Sequence, residues 1–328
     1  MKKVLAILLA LVMVFSFAAC GEKKEEGGND NPAPAPVKWT FGTGGESGTY
    51  YAYGTVLAQY VSNKTNLDIT AVSSGGSKAN IEDIDAGDIQ LGFSQSDTMD
   101  YAFRGVNGFD SKIGSFSVVC ALYMEDVQIV TVNPEIKTPA DLKGKQVSVG
   151  AVGSGTYFNA IDVLDVYGMT LDDIKPVYQS FGDSTESMKN NQIDAAFVVA
   201  GPPTTSIVDL ATSKDNVSLV NIDKEHCDKL IAKCPFYAMD VIPAETYKGV
   251  GETTTVAVAA MVLADDKCSA DDIYNFMATI FNNKAEVASQ HGKGEALDLK
   301  FASSVTAVPF HAGAAKYFAE NGITVKTK

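Results

Sequence analysis

Two short segments of this 328-residue sequence carry the residue types that can hold a small anion. Residues 42–51 read Gly-Thr-Gly-Gly-Glu-Ser-Gly-Thr-Tyr-Tyr, and residues 150–158 read Gly-Ala-Val-Gly-Ser-Gly-Thr-Tyr-Phe. The tetrapeptide Ser-Gly-Thr-Tyr stands in both, at 47–50 and at 154–157. Glycine lets a backbone approach a ligand closely, Ser and Thr hydroxyls donate hydrogen bonds, and the first N–H groups of a helix have no partner within it. Such a loop, opening a helix, binds carboxylate or phosphate without a cationic side chain. Ser or Thr there can also do no more than cap the helix; the same loop twice in one chain points to a ligand. Arginine cannot share this task widely, because Arg104 is the only one in the chain.

Other chemistries fit these residues less well. The run Gly42 to Gly48 has Ser47 where the last glycine of a dinucleotide loop belongs, and no lysine follows either loop at the spacing of a P-loop. Gly153-Ser154-Gly155 is not a nucleophile elbow, and no partner base is in view. His226, His291 and His311 are scattered, and there is no CxxC pair. No catalytic residue, metal site or cofactor is expected.

The surrounding pattern supplies the elements that must position the loops. Val37 to Gly42 reads as a strand, and Tyr53, Val56, Leu57, Tyr60 and Val61 follow at helical spacing. Gln146 to Gly150 is a second strand, followed by Phe158, Ile161, Val163, Leu164 and Val166. A second echo links Ala86–Phe93 with Asn190–Phe197; each reads as a helix end, a polar turn and a buried strand. Each half therefore runs strand, Gly-rich loop, helix, strand, helix, strand. That order predicts parallel sheets with helices on both faces, and ligands at the carboxyl ends of the strands.

Composition narrows the function further. With 46% hydrophobic and 20% charged residues the chain can build a core, and its length suggests about two domains. A formal charge of −14 makes nucleic acid a poor partner. Lys2, Lys3 and the apolar run Val4 to Ala19 read as a secretory signal peptide over 1–19. Small residues directly before Cys20 resemble a lipobox, with Phe17 where leucine is usual; the tether-like segment that follows favours Cys20 as a lipidation site over an ordinary signal peptide with an incidental cysteine. Residues 20–37, rich in Glu, Gly, Asn and Pro, read as a flexible tether. Cys227 and Cys234 could pair only if a helix ended between them, because seven helical residues span about 10.5 Å, beyond the ~7 Å reach of a disulfide. Free buried thiols are the equal alternative.

These residues together resemble the TAXI family of solute-binding proteins, the receptors of tripartite ATP-independent periplasmic (TRAP) transporters. The resemblance rests on Gly42 to Gly45 through Tyr51, Ser74-Gly75-Gly76-Ser77, Gly92 to Asp97, Gly153 to Thr156, Ile193 to Phe197, Ala200 to Thr204 and Val308 to Ala314. It implies an α/β chain of the type II periplasmic-binding-protein fold: two doubly wound lobes joined by two crossover strands. It also implies a small carboxylate ligand, such as glutamate, glutamine or 2-oxoglutarate, passed to a TRAP membrane subunit. Receptors that clamp the carboxylate with arginine fit poorly, since Arg104 reads as a solvated surface residue.

This topology places lobe I at 38–125 and 262–328 and lobe II at 126–261. Expected ligand-binding residues in the loops are Gly45, Ser47, Gly48, Thr49, Tyr50, Ser154, Gly155, Thr156 and Tyr157. Beyond them stand Ser74, Gly75, Ser77, Gln95, Ser96, Asp97, Phe181, Ala200, Pro202 and Tyr237. His311 reads as structural or partner-facing, because it lies far along the chain from the two loops. The location implied is extracytoplasmic, lipid-anchored at the cell membrane or periplasmic. An extracytoplasmic enzyme or sensor partner on the same fold remains the alternative, since fold alone does not fix function. The leader makes one direct prediction: Cys20→Ser protein should lose metabolic lipid labelling and leave the membrane fraction. A mature wild-type chain that carries no lipid and does not begin at Cys20 would rule the lipobox out.

Overall fold

The structure is a computed structural model that describes residues 35–328. The leader, Cys20 and tether residues 20–34 lie outside the described residues. The first half runs β1 (Val37–Gly42), α1 (Thr49–Lys64), β2 (Leu67–Val72), α2 (Ser77–Ala86), β3 (Leu91–Gln95), α3 (Ser96–Arg104) and the long β4 (Phe116–Thr131). The second repeats the order as β5 (Gln146–Ser148), α4 (Gly155–Val166), β6 (Lys175–Val177), α5 (Phe181–Lys189) and β7 (Ala195–Ala200). Then come α6 (Thr205–Ser213), β8 (Ser218–Leu219), α7 (Lys224–Lys233), β9 (Ala238–Ile242) and the long β10 (Thr253–Asp265). Helices α8 (Ala270–Asn282), α9 (Lys284–Gln290), α10 (Leu299–Ala302) and α11 (Ala312–Glu320) close the chain.

All ten strands join one sheet, in the order β2-β1-β3-β10-β4-β7-β5-β6, with β9 on β10 and β8 on β4. β1, β2 and β3 are parallel, as are β5, β6 and β7. Strands covered on both faces should be apolar throughout, and β7 is buried at every position. β4 and β10 are antiparallel to each other from Phe116–Asp265 to Asp126–Ala257. Because these two strands belong to both halves, the sheet is continuous. The side chains nevertheless pack into separate cores. Residues up to Tyr123, and from Ala259 onward, form the first with α8 and α11. Val127 and Ile129 of β4 and Val256 and Val258 of β10 belong to a second.

Both repeats end their second helix with a left-handed residue that turns the chain into a strand. Gly87 does so at φ 83° after α2, and Asn191 at φ 54° after α5. Among the described residues no helix is long and apolar enough to cross a membrane. α7 does end before Cys234, yet Cys227 and Cys234 are free thiols. His311 is the N-cap of α11, its Nδ1 accepting from the Gly313 N–H at 3.2 Å. Arg104 is exposed and pairs with Asp100 at 2.6 Å, one turn back on α3.

Phe93 is fully buried, its ring stacked between Phe41 at 5.0 Å and Tyr50 at 4.4 Å. It holds the first loop's tyrosine in place. Phe93→Ala should cost about 3–5 kcal/mol, read as a lower midpoint in denaturant unfolding. An unchanged midpoint would show that the stack carries no packing energy.

Candidate functional site

The carboxyl ends of β1, β3, β5 and β7 open on one cavity, which holds about 560 Å³ of atom-free space including its mouth. Gly45, Gly48, Thr49 and Tyr50 line it from the first loop, and Ser154, Gly155 and Thr156 from the second. Ser74, Gly75, Ser77, Gln95, Phe181 and Ala200 complete the predicted set that the fold brings together. Gly44, Gly76, Ala151, Ser180, Val199 and, above all, Glu125 line it as well.

Two helix starts face this space without side-chain caps. α1 begins after Gly48, which has none to offer. α4 begins after Ser154, whose hydroxyl makes no cap bond and has no other partner although it is buried. The capping role therefore does not account for either loop. The next residue, Gly155, is a contact point between the halves: a Cβ there would stand 1.9 Å from Gln95 Oε1. Gln95 Oε1 is itself buried and unpartnered, while its backbone N–H donates to Ser77 Oγ at 3.1 Å.

Other helix starts bind the halves to each other. At α2, the Lys78 and Ala79 N–H groups donate to the Gly153 carbonyl at 3.0 and 3.1 Å. At α6, the Ser206 N–H donates to the Ser47 carbonyl at 3.3 Å. Thr49 Oγ1 donates to the Gly201 carbonyl at 2.9 Å, and Lys293 Nζ to the Pro202 carbonyl at 2.7 Å.

Glu125 is the acidic side chain of the cavity. It sits on β4 and is buried, and its two oxygens accept from Tyr50 OH at 3.0 Å and Tyr123 OH at 3.3 Å. Burial pushes its carboxyl up to about 8, against the hydrogen bonds from Tyr50, Gln95 and Tyr123 that favour the ionised form. Among the described residues no lysine or arginine lines the cavity. Lys293 stands behind it, 5.4 Å from the centroid of the Tyr123 ring.

Six of the sequence-predicted residues lie elsewhere. Ser47 faces the outer mouth with Glu46 and Asp183. Ser96 is turned toward β10, its Oγ accepting from the Ala259 N–H at 3.3 Å. Tyr157 packs on Phe158 and Tyr178, so the repeated tetrapeptide is not symmetric: only its first tyrosine enters the cavity. The Pro202 carbonyl is held by Lys293. Asp97 and Tyr237 are buried beneath, both bonded to Asn159, at 2.9 and 2.7 Å. Glu125 was missed because it lies inside the apolar-looking run Leu122 to Val130; two adjacent acids there, Glu125 and Asp126, were the available signal.

The NMT1-like family matches residues 41–322. The chain belongs to the NMT1-like family. NMT1-like residues 41–322 cover both repeats and every residue of the cavity. Among solved structures it is similar to PhnD1 from Prochlorococcus marinus in complex with methylphosphonate, at 11% identity over 80% of this chain and 91% of that one, TM-score 0.54. It is similar to a binding protein component of an ABC phosphonate transporter from Pseudomonas aeruginosa, at 10% identity over 79% of each chain, TM-score 0.50. A protein of Bordetella bronchiseptica matches at 15% identity over 87% and 89%, TM-score 0.50. At such identities the likeness is one of fold, and the fold is that of the type II periplasmic binding proteins.

Three buried carboxyls of this NMT1-like chain are held above their ordinary range by burial: Asp97 to about 7, and Glu125 and Asp126 to about 8. Each is protonated in the folded chain at a pH where the unfolded chain has lost that proton. Their stabilising effect is therefore complete in acid and is lost as the pH rises through 7 and 8. The melting temperature should fall between about pH 5 and about pH 8, and Glu125→Gln should make that fall shallower, leaving the contributions of Asp97 and Asp126. A melting temperature that climbs over this range would contradict the assignment.

Proposed function

We propose that this chain is an extracytoplasmic receptor that captures a small amino acid of the glutamate or glutamine kind and delivers it to the membrane subunit of a TRAP transporter. One observation carries the reading: a single cavity sets two uncapped helix starts, at Gly48 and Ser154, against a buried carboxyl at Glu125. The helix starts suit a carboxylate. Glu125 and the unpartnered Gln95 Oε1 suit a ligand ammonium, which would supply the charge that burial denies Glu125. A zwitterion satisfies both ends. A 2-oxo acid satisfies only the first, so 2-oxoglutarate takes second place.

The type II binding-protein fold supports a receptor over an enzyme, and the ordered set of TAXI-like segments favours a TRAP partner. An ABC partner with a phosphonate ligand, as the Pseudomonas aeruginosa protein's description suggests for that protein, is the second reading. A phosphonate would fit the helix starts but would bring more negative charge to Glu125. We place the lobes at 38–125 with 262–328 and at 126–261, closing on the ligand about β4 and β10.

A thermal-shift screen separates these readings. L-glutamate or L-glutamine should raise the melting temperature, because a ligand at 100 times its Kd adds about 2.7 kcal/mol. 2-Oxoglutarate and methylphosphonate should leave it nearly unchanged. A shift with methylphosphonate and none with any amino acid would overturn the proposal in favour of the second reading.

A further inference from the structure

Beneath the cavity a chain of buried polar side chains joins α3, of the first core, to α4 and the end of α7, of the second. Asp97 Oδ2 accepts from Asn159 Nδ2 at 2.9 Å, and the same amide donates to Tyr237 OH at 2.7 Å. Tyr237 OH donates in turn to Asp162 Oδ2 at 3.0 Å. Tyr101 OH stands 3.5 Å from that oxygen and 3.5 Å from Cys234 Sγ. Asp97 and Asn159 have no solvent exposure, and Tyr237 has 3%.

The chain holds two carboxyls and no cation. Arg104 is taken by Asp100, and Lys233 by Asp165, both at the surface. The groups that face Asp97 are Tyr101 on its own helix, Tyr50 on α1, Asp162 on α4, Cys234 and Tyr237 after α7, and Glu125 on β4. None of them can neutralise it. An unpaired buried carboxylate is unfavourable unless it takes a proton or returns to water. Parting α3 from α4 would return it to water.

We propose that Asp97 is a proton-operated catch between the two halves: the neutral acid holds them together, and loss of its proton releases them. The inference rests on the reading of the chain as a receptor that opens and closes. Burial, reinforced by Asp162, holds Asp97 near 7 in this form, against the bonds from Thr98 and Asn159; in water it would ionise near ~3.9. Closing therefore takes up a proton between those values, so the closed population falls as the pH rises toward 7 and is constant above it.

The test needs no ligand. Small-angle scattering of the wild-type chain, from about pH 4 to about pH 9, should show a radius of gyration that grows with pH and levels off above about 7. Asp97→Asn, neutral at every pH, should stay compact throughout. Asp162→Asn, which removes the neighbouring carboxylate, should bring that levelling off to lower pH, and this readout survives if Asp97→Asn does not fold. A constant radius in wild type, or a transition that persists in Asp97→Asn, would overturn the catch. Ligand-induced thermal shifts would be untouched by that result, so the receptor reading stands or falls separately.

Discussion

The pairing of β4 with β10 is the constraint on which the rest of the molecule depends. Each strand enters one core, crosses to the other and keeps its hydrogen bonds with its partner on the way. The crossing fixes where the floor of the cavity must lie. Glu125 and Asp126 stand at that crossing, between Tyr123 of the first core and Val127 of the second. Side chains alternate across a strand, so Glu125 is delivered to the cavity and Asp126 to the opposite face, where burial and Asp240 raise its carboxyl. Any motion of one half against the other must bend these two strands.

The electrostatics follow from what the sequence omits. With one arginine, at the surface, the positive potential of the cavity comes from helix starts, and the carboxyl that stands in it, Glu125, is kept protonated at neutral pH by burial. Helix starts that would normally be capped are left open at α1 and α4 and are closed by the facing half at α2 and α6. One physical device is thus left open to the cavity at two places and joins the halves at two others. The net charge of −14 gives no long-range attraction for an anion, so short-range donors must do the holding.

Much of the fold was legible in the sequence because its signals are local. The Ser-Gly-Thr-Tyr repeat, the helical spacing after it and the turn residues Gly87 and Asn191 each act over a few residues. Gly45, Gly48, Thr49, Tyr50 and Ser154 to Thr156 come to line the cavity for the same reason, whereas Ser47 of the same loop does not. Asp97, Tyr157 and Tyr237 were misplaced because their roles depend on which way a side chain leaves its element. Tyr50 is drawn inward by Phe93 and Glu125, whereas Tyr157 meets Phe158 and Tyr178 instead. No pattern in either tetrapeptide distinguishes them. Glu125 shows the converse: a charged residue inside an apolar strand is a visible signal, and its meaning comes from the tyrosines and the glutamine that fold around it.

The central claim is that the cavity is polarised, with helix starts for a carboxylate and Glu125 for an ammonium. It is tested most directly by counting protons in calorimetric titration with L-glutamate, below the Glu125 value of about 8, in two buffers of different ionisation enthalpy. An ammonium arriving at Glu125 stabilises its ionised form, so wild type should release a proton on binding, and Glu125→Gln should lose that proton and bind at least about tenfold more weakly. Proton uptake by wild type, or equal affinity and equal proton count in the two proteins, would contradict the account.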